Sequence, residues 1–183
     1  MYFQEFNSGY NTGIDILYSG TVGAAMEALA NGIRSFAFSN KNDTSWETAD
    51  AYLISIVKEL LDENLSMDRI WNVNFPGCEL SECKGILRDR IPAKHQFYQD
   101  DYVRTNHADG SFSLRSKGVM TEKAEEGTDI SALLNNFISI GSVRCAALGY
   151  QRTRLNNEKE SKNLLYVRCN TDISIQHHMV TER

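Results

Sequence analysis

The sequence predicts an α/β fold, on three observations. Helical apolar spacing over residues 22–29 and 49–61 alternates with short strand-like runs at 35–39 and 70–75. A Gly- and Asn-rich loop opens the first helix, and a β-branched run at 138–143 follows a last short helix. With 183 residues and 42% hydrophobic content, the chain reads as one globular unit burying roughly two-thirds of its unfolded surface.

Met1-Tyr-Phe-Gln-Glu5 carries no core pattern and reads either as added sequence or as a genuine start. Residues 7–21 are dense in Asn, Ser, Thr and Gly, and lead into Val22, Ala25, Met26 and Leu29 at i, i+3, i+4, i+7. Ser19, Gly20 and Thr21 supply capping chemistry at the start of that helix, and Gly32 stands where a left-handed residue would end it. Residues 35–39, bounded by polar neighbours, then form a buried strand, so loop, helix and strand make half of a βαβ unit. Thr44-Ser-Trp-Glu47 resembles a capping box. It would begin a second helix through Ala49, Leu53, Ile56, Val57, Leu60 and Leu61, covering the other sheet face or an edge.

Residues 70–75 alternate Trp71, Val73 and Phe75 with Asn72 and Asn74 before Pro76, which places both asparagines on one face of a strand. From 78 to 123 the pattern is irregular, polar and aromatic, predicting a protruding hairpin region with a turn at Asp109-Gly110. Gly127-Thr-Asp129 caps a helix carrying Ile130, Leu133, Leu134 and Phe137, and the strand at 138–143 follows. Residues 146–183 are polar through Glu158-Lys-Glu-Ser-Lys162 and briefly apolar at 164–167, a tail without an assigned role.

A net charge of −5 and a pI near 5.4 disfavour a nucleic-acid groove, which needs basic residues to displace counterions from phosphates. A small phosphorylated ligand stays compatible. Cys78, Cys83, Cys145 and Cys169 lack paired CxxC spacing and read as reduced thiols. No apolar run reaches the length of a membrane span and no leader pattern follows Met1, which predicts a soluble, cytoplasmic chain. His95, His107, His177 and His178 fit neither a helical metal pair nor a triad order. Lys84, Arg88, Arg90 and Lys94, mixed with Glu82 and Asp89, read as a solvated face, and Asp100-Asp101 as a solvated pair.

The candidate chemistry lies in Asn7-Ser-Gly-Tyr-Asn-Thr-Gly13 and Tyr18-Ser-Gly-Thr-Val22. Glycine backbone can approach an anion closely, and the free N–H groups of a helix start attract phosphate oxygens. Ser19 and Thr21 add hydroxyls, and Asn oxygens are hard neutral ligands suited to Mg²⁺ or Mn²⁺. The same residues also fit an ordinary turn followed by a helix cap.

Asn7-x-Gly9-x-Asn11-x-Gly13, the spacer 14–17 and Tyr18-Ser-Gly-Thr-Val-Gly-Ala-Ala-Met-Glu27 resemble the central signature of the SurE nucleotidase family. Asn72-Val-Asn-Phe-Pro76 is similar to a later strand motif of that family. Glu126-Gly-Thr-Asp129, with Leu133 and Ile138-Ser-Ile140, resembles its closing helix and strand, so the likeness spans about residues 6–143. The resemblance implies a Rossmann-like three-layer core, a divalent cation (Mg²⁺ or Mn²⁺) and hydrolysis of nucleoside 5′- or 3′-monophosphates or other small phosphate esters. It also implies a homo-oligomer, dimer or tetramer. Asn7 matches the family's metal-binding asparagine, while Ser19, Gly20 and Thr21 match its phosphate-side loop. Ser8, Gly9 and Asn11 complete the candidate phosphate-binding set.

The family's adjacent aspartates, in an Asn-Asp-Asp-Gly motif, have no counterpart ahead of residue 6. The expectation is therefore a core lacking the N-terminal βα units, with apolar sheet faces needing partners, and a chain weak or inactive alone. The alternatives are a non-catalytic phosphate- or nucleotide-binding module, which would bind without a cation, and a structural oligomerisation fragment, which would bind nothing.

Overall fold

The computed structural model describes residues 2–3, 6–41, 44–99, 101–146 and 165–166. Among the described residues, seven strands form the central sheet: β1 (Tyr2–Phe3), β2 (Asn7–Ser8), β3 (Ser35–Asn40), β4 (Arg69–Phe75), β5 (Ile86–Leu87), β10 (Ile138–Arg144) and β11 (Leu165–Tyr166). The order is β11-β1-β3-β4-β10-β5, with β2 continuing the β1 side of β3. All pairings are parallel except β4 with β10.

Two helices cover the sheet from opposite sides. On one face Ala49, Ile56 and Leu60 of α2 (Glu47–Asp62) pack on Phe36, Phe38, Val73, Phe75, Ile138 and Ile140. On the other, Val22, Ala25 and Leu29 of α1 (Gly20–Ala30) pack on Ala37, Ile70 and Val143. Each fully buried Leu, Ile or Phe contributes on the order of 1.5–3 kcal/mol by leaving water. The result is a three-layer, Rossmann-like α/β core in which α1 joins parallel β2 and β3, and α2 joins parallel β3 and β4.

Four expectations differ from what is observed. Tyr2–Phe3, within a stretch that shows no core pattern, is part of the sheet, paired with Ser35 and Phe36. The Thr44 hydroxyl does not cap α2. It closes a turn by donating to the Lys41 carbonyl (2.8 Å), and Trp46 takes the N-cap position without a side-chain bond. The protrusion is narrower than 78–123, because Ile86–Leu87 pairs with β10 while Ala93 and Phe97 are buried. What projects is β6 (Tyr98–Gln99) with β9 (Val119–Met120), continuing into the hairpin of β7 (Tyr102–Asn106) and β8 (Phe112–Ser116). Helix α3 (Asp129–Leu134) ends before Phe137. The rest of the 146–183 tail, with Cys169, His177 and His178, lies outside the described residues, as does Asp100.

Candidate functional site

The two halves of the α1-side sheet face differ. Ala37, Ile70 and Val143 lie under α1, whereas Ser39, Asn72, Asn74 and Ser139, toward the carboxyl ends of β3 and β4, are all buried and polar. Above them runs the loop that leaves β2 at the carboxyl ends of β3 and β4, where ligands bind in open α/β sheets. Phe6 anchors the approach to this loop on the opposite face, with ring centroids 5.5 Å from Phe38, 5.4 Å from Trp46 and 5.5 Å from Phe75.

Asn11, fully buried, is the hub. Its backbone N–H donates to Asn74 Oδ1 (2.9 Å) and Ser39 Oγ (3.2 Å), and its carbonyl accepts from Asn72 Nδ2 (2.8 Å). The Ser39 hydroxyl also donates to Asn74 Oδ1. Asn11 Oδ1 in turn accepts from Asn7 Nδ2 (3.1 Å) and from Ser19 Oγ (2.6 Å). Asn7 Nδ2 donates as well to the Gly9 carbonyl (2.7 Å), so its donor end is committed inward. Among the described residues, Asn7 Oδ1 accepts no hydrogen bond.

Ser19 N-caps α1 by accepting from the Val22 N–H (3.1 Å). Among the described residues, the Gly20 and Thr21 N–H groups have no acceptor, as expected in a first helical turn. Asn7, Asn11, Ser19 and this helix start are thus brought together. Ser8 is exposed, and the Gly9 N–H already donates to the Asn40 carbonyl (2.9 Å). Asn11 meets Asn7 and Ser19 from below. Thr21 is buried and Gly20 exposed.

Asp129 holds the far side of the loop. Its carboxylate accepts from the backbone N–H groups of Gly13, Ala93 and Ile130 (2.9, 2.9 and 2.8 Å). Burial pushes its carboxyl above the ordinary range, while those three N–H groups pull the other way. Beyond it, Tyr10, Phe97, Ala93, Ile130 and Leu133 form a small core, and the Tyr10 hydroxyl donates to the Pro76 carbonyl (2.7 Å). Burial drives that hydroxyl's pKa well upward, so it stays a neutral donor.

Of the other candidates, His95 lies against the loop, its carbonyl accepting from the Ile14 N–H (3.1 Å). Arg88 pairs with Glu59 and Glu63, and Arg90 donates to the Arg88 carbonyl. His107 and Asp101 are exposed on the hairpin. Cys78, Cys83 and Cys145 are free thiols. Among the described residues, no group of three or more His, Cys, Asp or Glu is placed to hold a metal ion, and no helix is long and apolar enough to cross a membrane.

A layered, mostly parallel α/β sheet with an Asn- and Gly-rich loop at the strands' carboxyl ends, facing an open helix start, places the chain in the class of Rossmann-like α/β proteins. The family model of Survival protein SurE matches residues 5–97. The crystal structure of SurE protein from Aquifex aeolicus aligns at 32% identity with a TM-score of 0.67, covering 81% of this chain and 60% of that one. The chain belongs to the SurE family. It spans about 60% of the length of that solved relative.

Proposed function

We propose that this chain carries the phosphate-receiving part of a metal-dependent phosphatase acting on nucleoside 5′- or 3′-monophosphates. Family membership supports phosphatase chemistry. The observation that carries the reading is the hydrogen-bonded set Asn7–Asn11–Ser19, which ties an amide whose oxygen accepts no bond among the described residues to a helix start with two unsatisfied N–H groups. Backbone N–H groups and the Ser19 hydroxyl would hold phosphoryl oxygens, favoured by the positive end of α1.

Asn7 Oδ1 is a hard neutral oxygen of the kind Mg²⁺ or Mn²⁺ accepts. It is one ligand where such a cation takes six or so, and the described residues offer no carboxylate cluster beside it. The donor set therefore does not hold a cation by itself. A homo-oligomer, dimer or tetramer, and a cytoplasmic location belong to the same reading.

Phosphate release from a panel of nucleoside monophosphates, with Mn²⁺ or Mg²⁺, tests it alongside titration with inorganic phosphate. The chain is expected to bind phosphate, with affinity reduced in Ser19→Ala, and to turn over weakly or not at all. Turnover abolished by Asn7→Ala would mean that further groups of the chain complete the metal site. A chain that binds no phosphate with or without cation would sink the reading.

A further inference from the structure

We propose that Asn72 and Asn74 are positioning residues of the phosphate site, acting through Asn11. This rests on the function proposed above. Two residues apart on β4, they project from one face and grip a single peptide segment from both sides. Asn74 Oδ1 takes the Asn11 N–H, and Asn72 Nδ2 gives to the Asn11 carbonyl. The hydroxyl of Ser39, the register partner of Asn74, donates to the same Oδ1.

Asn11 is fully buried in this position. What it does is transmit. With its backbone fixed at both ends, its Oδ1 is held where Asn7 Nδ2 and Ser19 Oγ both donate to it. Those two bonds orient the Asn7 amide, leaving Oδ1 as its uncommitted acceptor among the described residues, and set Ser19 at the first turn of α1. Rotamers locked by supporting hydrogen bonds are how a site keeps its donors preorganised. The polarity of the clamp is specific: position 74 must accept and position 72 must donate. Neither touches the proposed phosphate.

The same substitution therefore has opposite expected results at the two positions. Asn74→Asp keeps the acceptor, whereas Asn72→Asp removes the donor and turns a carboxylate oxygen toward the Asn11 carbonyl. Both add one carboxylate at a buried site, so charge alone does not separate them. The test uses the full chain, with inorganic phosphate affinity by calorimetry, hydrogen exchange of the Asn7 side-chain amide by NMR, and thermal unfolding as a folding control.

Asn72→Asp is expected to lose about tenfold in phosphate affinity, as supporting-residue changes do, together with Asn7 amide protection. Asn74→Asp should retain both, and Asn74→Ala should lose both. Asn72→Ala removes the donor without adding charge and should match Asn72→Asp, which keeps the test open if the charged variant misfolds. Equal behaviour of the two Asp variants, in either direction, overturns the inference while leaving the proposed function standing. A parent chain with a protected Asn7 amide but no phosphate affinity overturns the proposed function, and this inference with it.

Discussion

Two regions of the chain reverse the usual distribution of polarity. Asn11 of the 9–13 loop is buried with Ser39, Asn72, Asn74 and Asp129, whose side chains bond its backbone or that of Gly13. On the hairpin of β7 and β8, Tyr102, Phe112 and Leu114 stand 57%, 52% and 57% exposed. A buried polar group and an exposed large apolar one are the informative departures from the ordinary pattern. The first region gains order from bonds that must all be made, because each unmade one leaves a desolvated group. The second has local cross-strand contacts and little else to lose, so substitutions should register very differently in the two.

The largest effect is expected at Asp129. Asp129→Ala strands the N–H groups of Gly13, Ala93 and Ile130, at about 1–3 kcal/mol for each buried donor left unsatisfied. Urea unfolding should show a loss of roughly 3 kcal/mol or more. A loss below about 1 kcal/mol would mean that the loop relaxes to other acceptors, and that the buried region is less cooperative than its bonding implies.

A matched pair of glycines sharpens the contrast. Gly13 and Gly110 both have positive φ, +53° and +86°. Alanine should cost about 1–2 kcal/mol at either position from the backbone conformation alone. At Gly13 a Cβ would also collide with the His95 carbonyl oxygen, which is fixed by accepting from the Ile14 N–H. At Gly110 it meets nothing within 4 Å. Gly13→Ala should therefore be clearly the more destabilising in thermal melts, and equal shifts would show that the loop over the polar face can move aside.

Much of the scaffold was legible in the sequence, because helical spacing at Val22, Ala25 and Leu29 and alternation at 71–75 are direct traces of which side faces the core. The shared face of Asn72 and Asn74 followed from the strand period of two, and the grouping of Asn7 with Ser19 followed from a short loop before a helix cap. The grip of those asparagines on Asn11 was not legible. It joins residues more than sixty positions apart through backbone groups, which carry no signal in side-chain pattern. Asp129 looked like part of a helix cap, and Thr128 proves to be the cap, freeing the carboxylate to reach Gly13. The strand pairing of Tyr2–Phe3 was hidden because two residues are too few to display a period.

The smallest effect is expected on the hairpin. Arg104 lies over the Phe112 ring with its guanidinium carbon 4.0 Å from the centroid, and Arg104 Nε donates to Asn106 Oδ1 (3.0 Å). Register pairs Arg104 with Leu114 and Asn106 with Phe112, so the cation reaches its ring along the strand diagonal. A double-mutant cycle of Arg104→Ala and Phe112→Ala, read by hydrogen exchange of the β7 and β8 amides, should give a coupling of about 0.5–1 kcal/mol, the range of an exposed cation–π contact. Coupling near zero would mean that the pair separates in solution and that the hairpin is held by its backbone ladder alone. Coupling of about 2 kcal/mol or more is the signature of a desolvated ring. That result would break the contrast between the regions, because this apolar surface would then be covered in solution rather than facing water.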